Sequence, residues 1–237
     1  GEAALPQIKV KAAAEATGAR VVTFALTASA DVRGRCVLRE DGSDIAITLP
    51  TGAVDVRLRV PGEHMVRNAL AAAAAAVAMG VTPDAVRLGL DAFRPAPGRL
   101  VALRAASGAR VLDDSYNANP DSMRAAIDVL AAAAGTRMLV MGDMGEVGAD
   151  GPAFHREIGA YAKLRGIHRL LATGELARES VAAFGADAEH CLDVETLARR
   201  AVAAAGPDMA LLVKGSRFMH LERVVAALTG TPVAGAH

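Results

Sequence analysis

The chain reads as an α/β protein whose C-terminal part is a Rossmann-like, mostly parallel sheet with helices on both faces, preceded by an antiparallel meander plus helices. Three observations predict this. From Arg99 onward, apolar runs alternate with amphipathic helical stretches; residues 21–60 instead read as short strands joined by tight turns; and Arg94-Pro95-Ala96-Pro97-Gly98 breaks the pattern between the two. The domain boundary falls at that linker, giving residues 1–97 and 98–237.

Taken in order, Val21-Val22-Thr23-Phe24 is a short β-rich run, and Asp41-Gly42 separates Cys36-Val37-Leu38 from Ile45-Ala46-Ile47-Thr48-Leu49, as in a tight hairpin. Pro50-Thr51-Gly52 then turns into Val54-Asp55-Val56-Arg57-Leu58-Arg59-Val60, whose strict alternation gives one apolar and one charged face. Past Pro61-Gly62 the period becomes helical over Val66 to Met79; Gly80 ends that helix and Thr82-Pro83-Asp84 starts another through Phe93. In the second half, strands are expected at 110–112, 137–141, 169–172 and 209–213, and helices at 120–133, 153–165, 194–204 and 219–228. Leu221, Val224, Val225 and Leu228 give the last helix one apolar stripe.

Composition excludes several classes. With 237 residues, 52% of them hydrophobic, the chain can bury one large core or two ordinary ones. Its 26 basic and 26 acidic side chains cancel, and no Lys or Arg cluster creates a local field for nucleic acid or an anionic membrane. Cys36 and Cys191 lie far apart without metal-ligand spacing, which fits reduced, packed thiols in a cytoplasmic protein. The longest apolar run, Ala69 to Gly80, is too short to span a bilayer and reads as a buried helix. No signal peptide opens the chain, and Gly1-Glu2-Ala3 in place of Met looks like a trimmed start.

Leu112-Asp113-Asp114-Ser115-Tyr116-Asn117-Ala118-Asn119-Pro120-Asp121 carries the densest chemistry: an apolar strand empties into polar groups and then starts a helix, with Asn119 as N-cap and Pro120 in its first turn. Ligands of open α/β sheets bind at such edges, and a carboxylate there can accept two ribose hydroxyls. Turn and cap chemistry is the commoner use of Asp113, Ser115 and Asn119. Elsewhere His64 and Asn68 stand one turn apart near a helix start, where a capping or core role is equally natural. Gly98-Arg99 reads alone as a surface arginine, although a guanidinium grips phosphate bidentately. Met141-Gly142-Asp143-Met144-Gly145-Glu146-Val147-Gly148 follows a strand as a phosphate loop would, but without GxGxxG spacing it reads mainly as structural and cleft-lining. Finally, Val213-Lys214-Gly215-Ser216-Arg217 ends a strand and opens a helix, so amides and two cations could hold a carboxylate or phosphate; the bland reading makes Lys214 and Arg217 solvated helix-end charges.

These same stretches resemble the signatures of the Mur ligases, the ATP-dependent amide-forming enzymes of peptidoglycan synthesis. The resemblance is carried by Asp-Asp-Ser-Tyr-Asn-Ala-Asn-Pro, by Gly-Asp-Met and its downstream Phe154-His155-Arg156-Glu157, and by Val-Lys-Gly-Ser-Arg. It implies that Asp114 holds the ATP ribose; that Tyr116, Asn117 and Asn119 line the nucleotide pocket; that His64 and Asn68 contact the adenine region; and that Arg99 meets the phosphates from an interdomain cleft. Asp114 and Arg99 would be the residues nearest catalysis. Lys214, Ser216 and Arg217 would contact dipeptide or acyl-phosphate. Met65 stands where the family's first asparagine usually stands. The substrates implied are UDP-N-acetylmuramoyl-tripeptide and D-Ala-D-Ala, joined through an acyl-phosphate made with ATP and Mg2+.

No GxxxxGK[ST] occurs in the chain. The chain is therefore expected to be the C-terminal part of the central ATPase domain plus the whole C-terminal domain of such a ligase, inactive alone, with the P-loop and metal ligands upstream. Two alternatives stand beside this: a stand-alone nucleotide- or peptide-binding module, and a folylpolyglutamate-synthase-like ligase using another amine. A nicotinamide oxidoreductase is disfavoured by the lack of the dinucleotide glycine fingerprint.

Overall fold

Valine, isoleucine and leucine at alternate positions between residues 32 and 58 leave the first sheet one dry face, and an alanine-rich helix covers it. The computed structural model describes residues 14–231. Its strands β1 (Phe24–Ala25), β2 (Val32–Arg39), β3 (Gly42–Leu49) and β4 (Gly52–Leu58) lie in that order. β2, β3 and β4 form the expected antiparallel meander, joined by two-residue turns, while β1 pairs briefly and in parallel with β2. Ile45, Ile47, Leu49, Val54, Val56 and Leu58 pack against Val66, Leu70, Ala73 and Val77 of α1 (Glu63–Ala78) and Val86 of α2 (Pro83–Ala92). Burying each such large aliphatic side chain contributes about 1.5–3 kcal/mol. Thr82 caps α2, accepting a hydrogen bond from the Ala85 amide. The opposite face is charged: Arg57 joins Asp41 and Asp44, and Asp44 also takes Arg39.

The remaining elements build a second sheet: β5 (Val101–Arg104), β6 (Arg110–Asp114), α3 (Pro120–Ala131), β7 (Thr136–Met141), α4 (Gly151–Leu164), β8 (Arg169–Thr173), α5 (Ala177–Phe184), β9 (Ala188–Cys191), α6 (Val194–Ala204), β10 (Met209–Lys214) and α7 (Glu222–Thr229). The order across this sheet is β5-β6-β10-β7-β8-β9, antiparallel only between β5 and β6. Val111, Met138, Val140, Leu171, Leu211 and Val213 face one way, against Leu197 and Ala201 of α6, Val224 and Leu228 of α7, and Leu221 at that helix's N-cap. Alternation turns Leu112, Leu139, Leu170 and Leu212 to the other face, where α3 contributes buried Met123, Ile127 and Leu130 and packs on α4, and α4 on α5. The helices thus cover both faces, as the alternation of elements implies.

Three elements lay outside the sequence reading: β5, β9 and α5. One differs from it. The helix expected from Met219 begins at Glu222, because residues Arg217–Met219 form a single 3-10 turn and His220 then takes a left-handed φ of 51° that interrupts the winding. By contacts the chain forms two units, one ending at Phe93 and one made of Arg94 onward with residues 60–62. Among the described residues, no helix is long and apolar enough to cross a membrane.

Candidate functional site

In the second unit the polar groups gather at the C-terminal ends of β6, β10 and β7, and strand register explains why. β10 lies between β6 and β7, with Lys214 opposite Asp114 on one side and Met141 on the other. Residues opposite each other in adjacent strands point to the same face. The Lys214 ammonium therefore meets the Asp114 carboxylate, Nζ to Oδ2 at 2.6 Å, and also donates to the Asn117 carbonyl at 2.9 Å. The lysine side chain is 3% exposed and that of Asp114 18%. Lys214 is thus not a solvated helix-end charge. Breaking such a pair from one side strands a buried charge, at a cost of about 3–5 kcal/mol.

The loop after Asp114 is stitched down residue by residue. Asp113 accepts from the Ser115 amide and hydroxyl at 3.1 and 2.6 Å, an Asx turn that redirects the chain. Asn119 caps α3 reciprocally with Ser122: its Oδ1 accepts from the Ser122 amide at 2.8 Å, and its own amide donates to Ser122 Oγ at 3.0 Å. Cap and turn roles are thus real for Asp113, Ser115 and Asn119, and they leave Asp114, Tyr116 and Asn117 as the loop's outward-facing chemistry. Gly98, at φ 73°, accepts from the Tyr116 amide at 3.0 Å; a Cβ there would press on Tyr116 and Ser115. This contact delivers Arg99 to the site. Its guanidinium lies 4.1 Å from the Tyr116 ring centroid, and that of Arg217 lies 5.7 Å from the same ring. The ring is partly exposed, so both cations are held where a ligand can reach them.

The other two loops brace this arrangement. Ser216 Oγ accepts from the Gly145 amide at 2.6 Å and donates to the Ala118 carbonyl at 3.2 Å, tying three loops together from a buried position. Its amide donates to the Asp143 carbonyl at 3.0 Å. Val213–Arg217 thus opens into a single 3-10 turn, Arg217–Met219, in place of the helix expected there. Gly215 and Gly142 run back to back, and a Cβ on Gly215 would meet the Gly142 backbone and Leu221. Asp143 spends its carboxylate on the α5 start, accepting from the Ala177 amide at 2.8 Å and the Leu176 amide at 3.3 Å. His155, fully buried, donates from Nδ1 to the Gly151 carbonyl at 2.7 Å and accepts at Nε2 from the Met144 amide at 2.9 Å, which assigns its tautomer.

His64 and Asn68 lie on α1 of the first unit, one turn apart as expected, and Asn68 donates to the Met65 sulfur at 3.7 Å. Cys36 and Cys191 are both free, and burial pushes both thiols above their usual pKa, which suits packing rather than reactivity. Among the described residues no three His, Cys, Asp or Glu side chains converge as a metal-ligand set.

Asp114 and Lys214, and Arg99, Tyr116 and Arg217, were each singled out in the sequence, but that they pair with one another was not visible there. Nothing in the spacing of Asp114 and Lys214 shows that the last strand inserts beside the first parallel one.

An open α/β sheet with polar residues gathered at the C-terminal ends of its parallel strands, and guanidiniums on an exposed aromatic ring, belongs to the architecture in which ligands bind at that rim. The chain is a member of the Mur ligase family: the Mur ligase glutamate ligase domain matches residues 98–217, and the Mur ligase middle domain matches residues 6–76. It is 44% identical over 189 residues to the UDP-N-acetylmuramoyl-tripeptide--D-alanyl-D-alanine ligase of Escherichia coli K12, covering 79% of this chain and 42% of that relative. A crystal structure of MurF from Acinetobacter baumannii superposes with a TM-score of 0.82 at 31% identity, over 91% of this chain and 48% of that one. MurF from Thermotoga maritima, solved in complex with ADP, shares the fold, with a TM-score of 0.76 at 20% identity over 88% of this chain and 48% of that one. The chain thus spans less than half the length of these relatives.

Proposed function

We propose that the chain is part of an ATP-dependent ligase that joins D-Ala-D-Ala to UDP-N-acetylmuramoyl-tripeptide through an acyl-phosphate, in the bacterial cytoplasm. The observation that carries this reading is the Asp114 carboxylate at the end of β6, fixed by Lys214 beside the Arg99–Tyr116–Arg217 group. Asp114 accepts ribose hydroxyls, Tyr116 and Asn117 border the nucleotide, and Arg99 reaches its phosphates with a fork whose geometry matches phosphate oxygens. Asn119 contributes mainly by capping α3. Arg217 and Ser216 carry the expectation of dipeptide contact, Arg217 directly and Ser216 by holding Ala118 and Gly145 in place. The adenine role of His64 and Asn68 rests on the family resemblance. Identity to the D-alanyl-D-alanine ligases, at 44% with the Escherichia coli enzyme, supports this amine over the glutamate of a folylpolyglutamate-synthase-like ligase. The longer ligase containing this chain supplies the test. Asp114→Asn, which leaves an oxygen for Lys214, is expected to raise the ATP KM about tenfold or more with the D-Ala-D-Ala KM unmoved. An unchanged ATP KM removes Asp114 from the nucleotide site.

A further inference from the structure

Lys214 stands apart from the other charges at the strand edge. Its ammonium is buried, and its two acceptors lie at the end of β6 and in the loop that follows: the Asp114 carboxylate at 2.6 Å and the Asn117 carbonyl at 2.9 Å. A ligand at this edge would find the ammonium already engaged on two sides and screened from solvent. The Asp114 carboxylate is the more accessible member of the pair, 18% exposed against 3%, and its second oxygen, Oδ1, is not the one Lys214 holds. Two residues further on, Ser216 Oγ reaches the Ala118 carbonyl at 3.2 Å. Lys214 and Ser216 thus fasten the segment from Asp114 to Ala118 at three points.

We propose that Lys214 is a positioning residue: it acts through Asp114, locking one carboxylate oxygen so that the other is presented to the nucleotide, and it does not contact the dipeptide or the acyl-phosphate. This rests on the reading of Asp114 as a nucleotide contact and goes beyond it by assigning the lysine to the nucleotide half of the reaction. A buried ammonium is suited to this, because a carboxylate with one oxygen fixed by charge-assisted hydrogen bonding loses its freedom to rotate before the ligand arrives.

The experiment is a double-mutant cycle in the full-length ligase, following steady-state KM for ATP and for D-Ala-D-Ala separately, with a thermal melt of each variant. Lys214→Met alone is expected to raise the ATP KM about as much as Asp114→Asn does and to leave the dipeptide KM within about twofold. In the Asp114→Asn background, Lys214→Met is expected to add less than about twofold to the ATP KM, because the group it positions is already gone. Lys214→Met leaves the Asp114 carboxylate without its cation, whereas the double variant carries neither charge, so the comparison of Asp114→Asn with the double variant decides the matter even where Lys214→Met alone fails to fold. A rise in the dipeptide KM, no effect of Lys214→Met on the ATP KM, or a further tenfold or so added in the Asp114→Asn background would overturn the proposal. If Asp114→Asn itself leaves the ATP KM unchanged, the nucleotide reading of Asp114 falls. If Asp114→Asn raises it and Lys214→Met does not, only the positioning role falls.

Discussion

Tyr116 is the residue on which two of the site's cations rest, and its effect separates into a ring and a hydroxyl. The Arg99 guanidinium at 4.1 Å needs only the ring face. Tyr116→Phe is therefore expected to keep both stability and ATP KM, whereas Tyr116→Ala should cost about 0.5–1 kcal/mol in urea unfolding and raise the ATP KM by freeing Arg99. Equal effects of the two substitutions would show that the hydroxyl, not the stack, matters. Asp143 offers a second case at this scale. The sequence placed it in a glycine loop that could be read as a phosphate cradle, yet its carboxylate caps α5 through the Leu176 and Ala177 amides. Asp143→Ala is expected to cost about 1–2 kcal/mol in urea unfolding, with Asp143→Asn milder because an acceptor remains. A neutral Asp143→Ala would remove the capping role. What was legible here was residue type and neighbourhood; what was not was the partner, since Asp143 and Ala177 are joined only by the fold.

Elements with a strong period were readable, and those without one were not. β3 and β4 alternate cleanly, and α1 and α7 carry apolar stripes, so their positions follow from burial on one face. β9, Ala188-Glu189-His190-Cys191, is an edge strand whose half-buried residues alternate no apolar side chains, and β5 is a four-residue edge strand. α5 spans only two turns and presents Arg178 and Glu179 at its start. It exists because of packing: α4 approaches it at Gly159, where a Cβ would collide with the Ser180 backbone, and Ser180 Oγ donates to the His155 carbonyl at 2.6 Å. Gly159→Ala should therefore destabilise the protein by about 1–3 kcal/mol in denaturant unfolding despite alanine's better helix propensity. A stabilising substitution would mean the two helices separate easily and that this close approach does not hold α5.

For the whole molecule, the fold class followed from the alternation of elements, but the strand order did not. The return of β10 to a place between β6 and β7 brings Lys214 to Asp114 and Ser216 to Ala118, and no local pattern encodes that insertion. The family motifs pointed to Asp114, Tyr116 and Lys214, and the fold brings these three to the ends of adjacent strands and the loops that follow them. We infer that this convergence serves ATP-driven amide formation with D-Ala-D-Ala. The most direct measurement is phosphate release from ATP by the full-length ligase, with UDP-N-acetylmuramoyl-tripeptide present and either D-Ala-D-Ala or L-glutamate as the amine. Release that requires both the tripeptide substrate and D-Ala-D-Ala is the predicted result. Release that is indifferent to the dipeptide, or that is supported equally by glutamate, would contradict it.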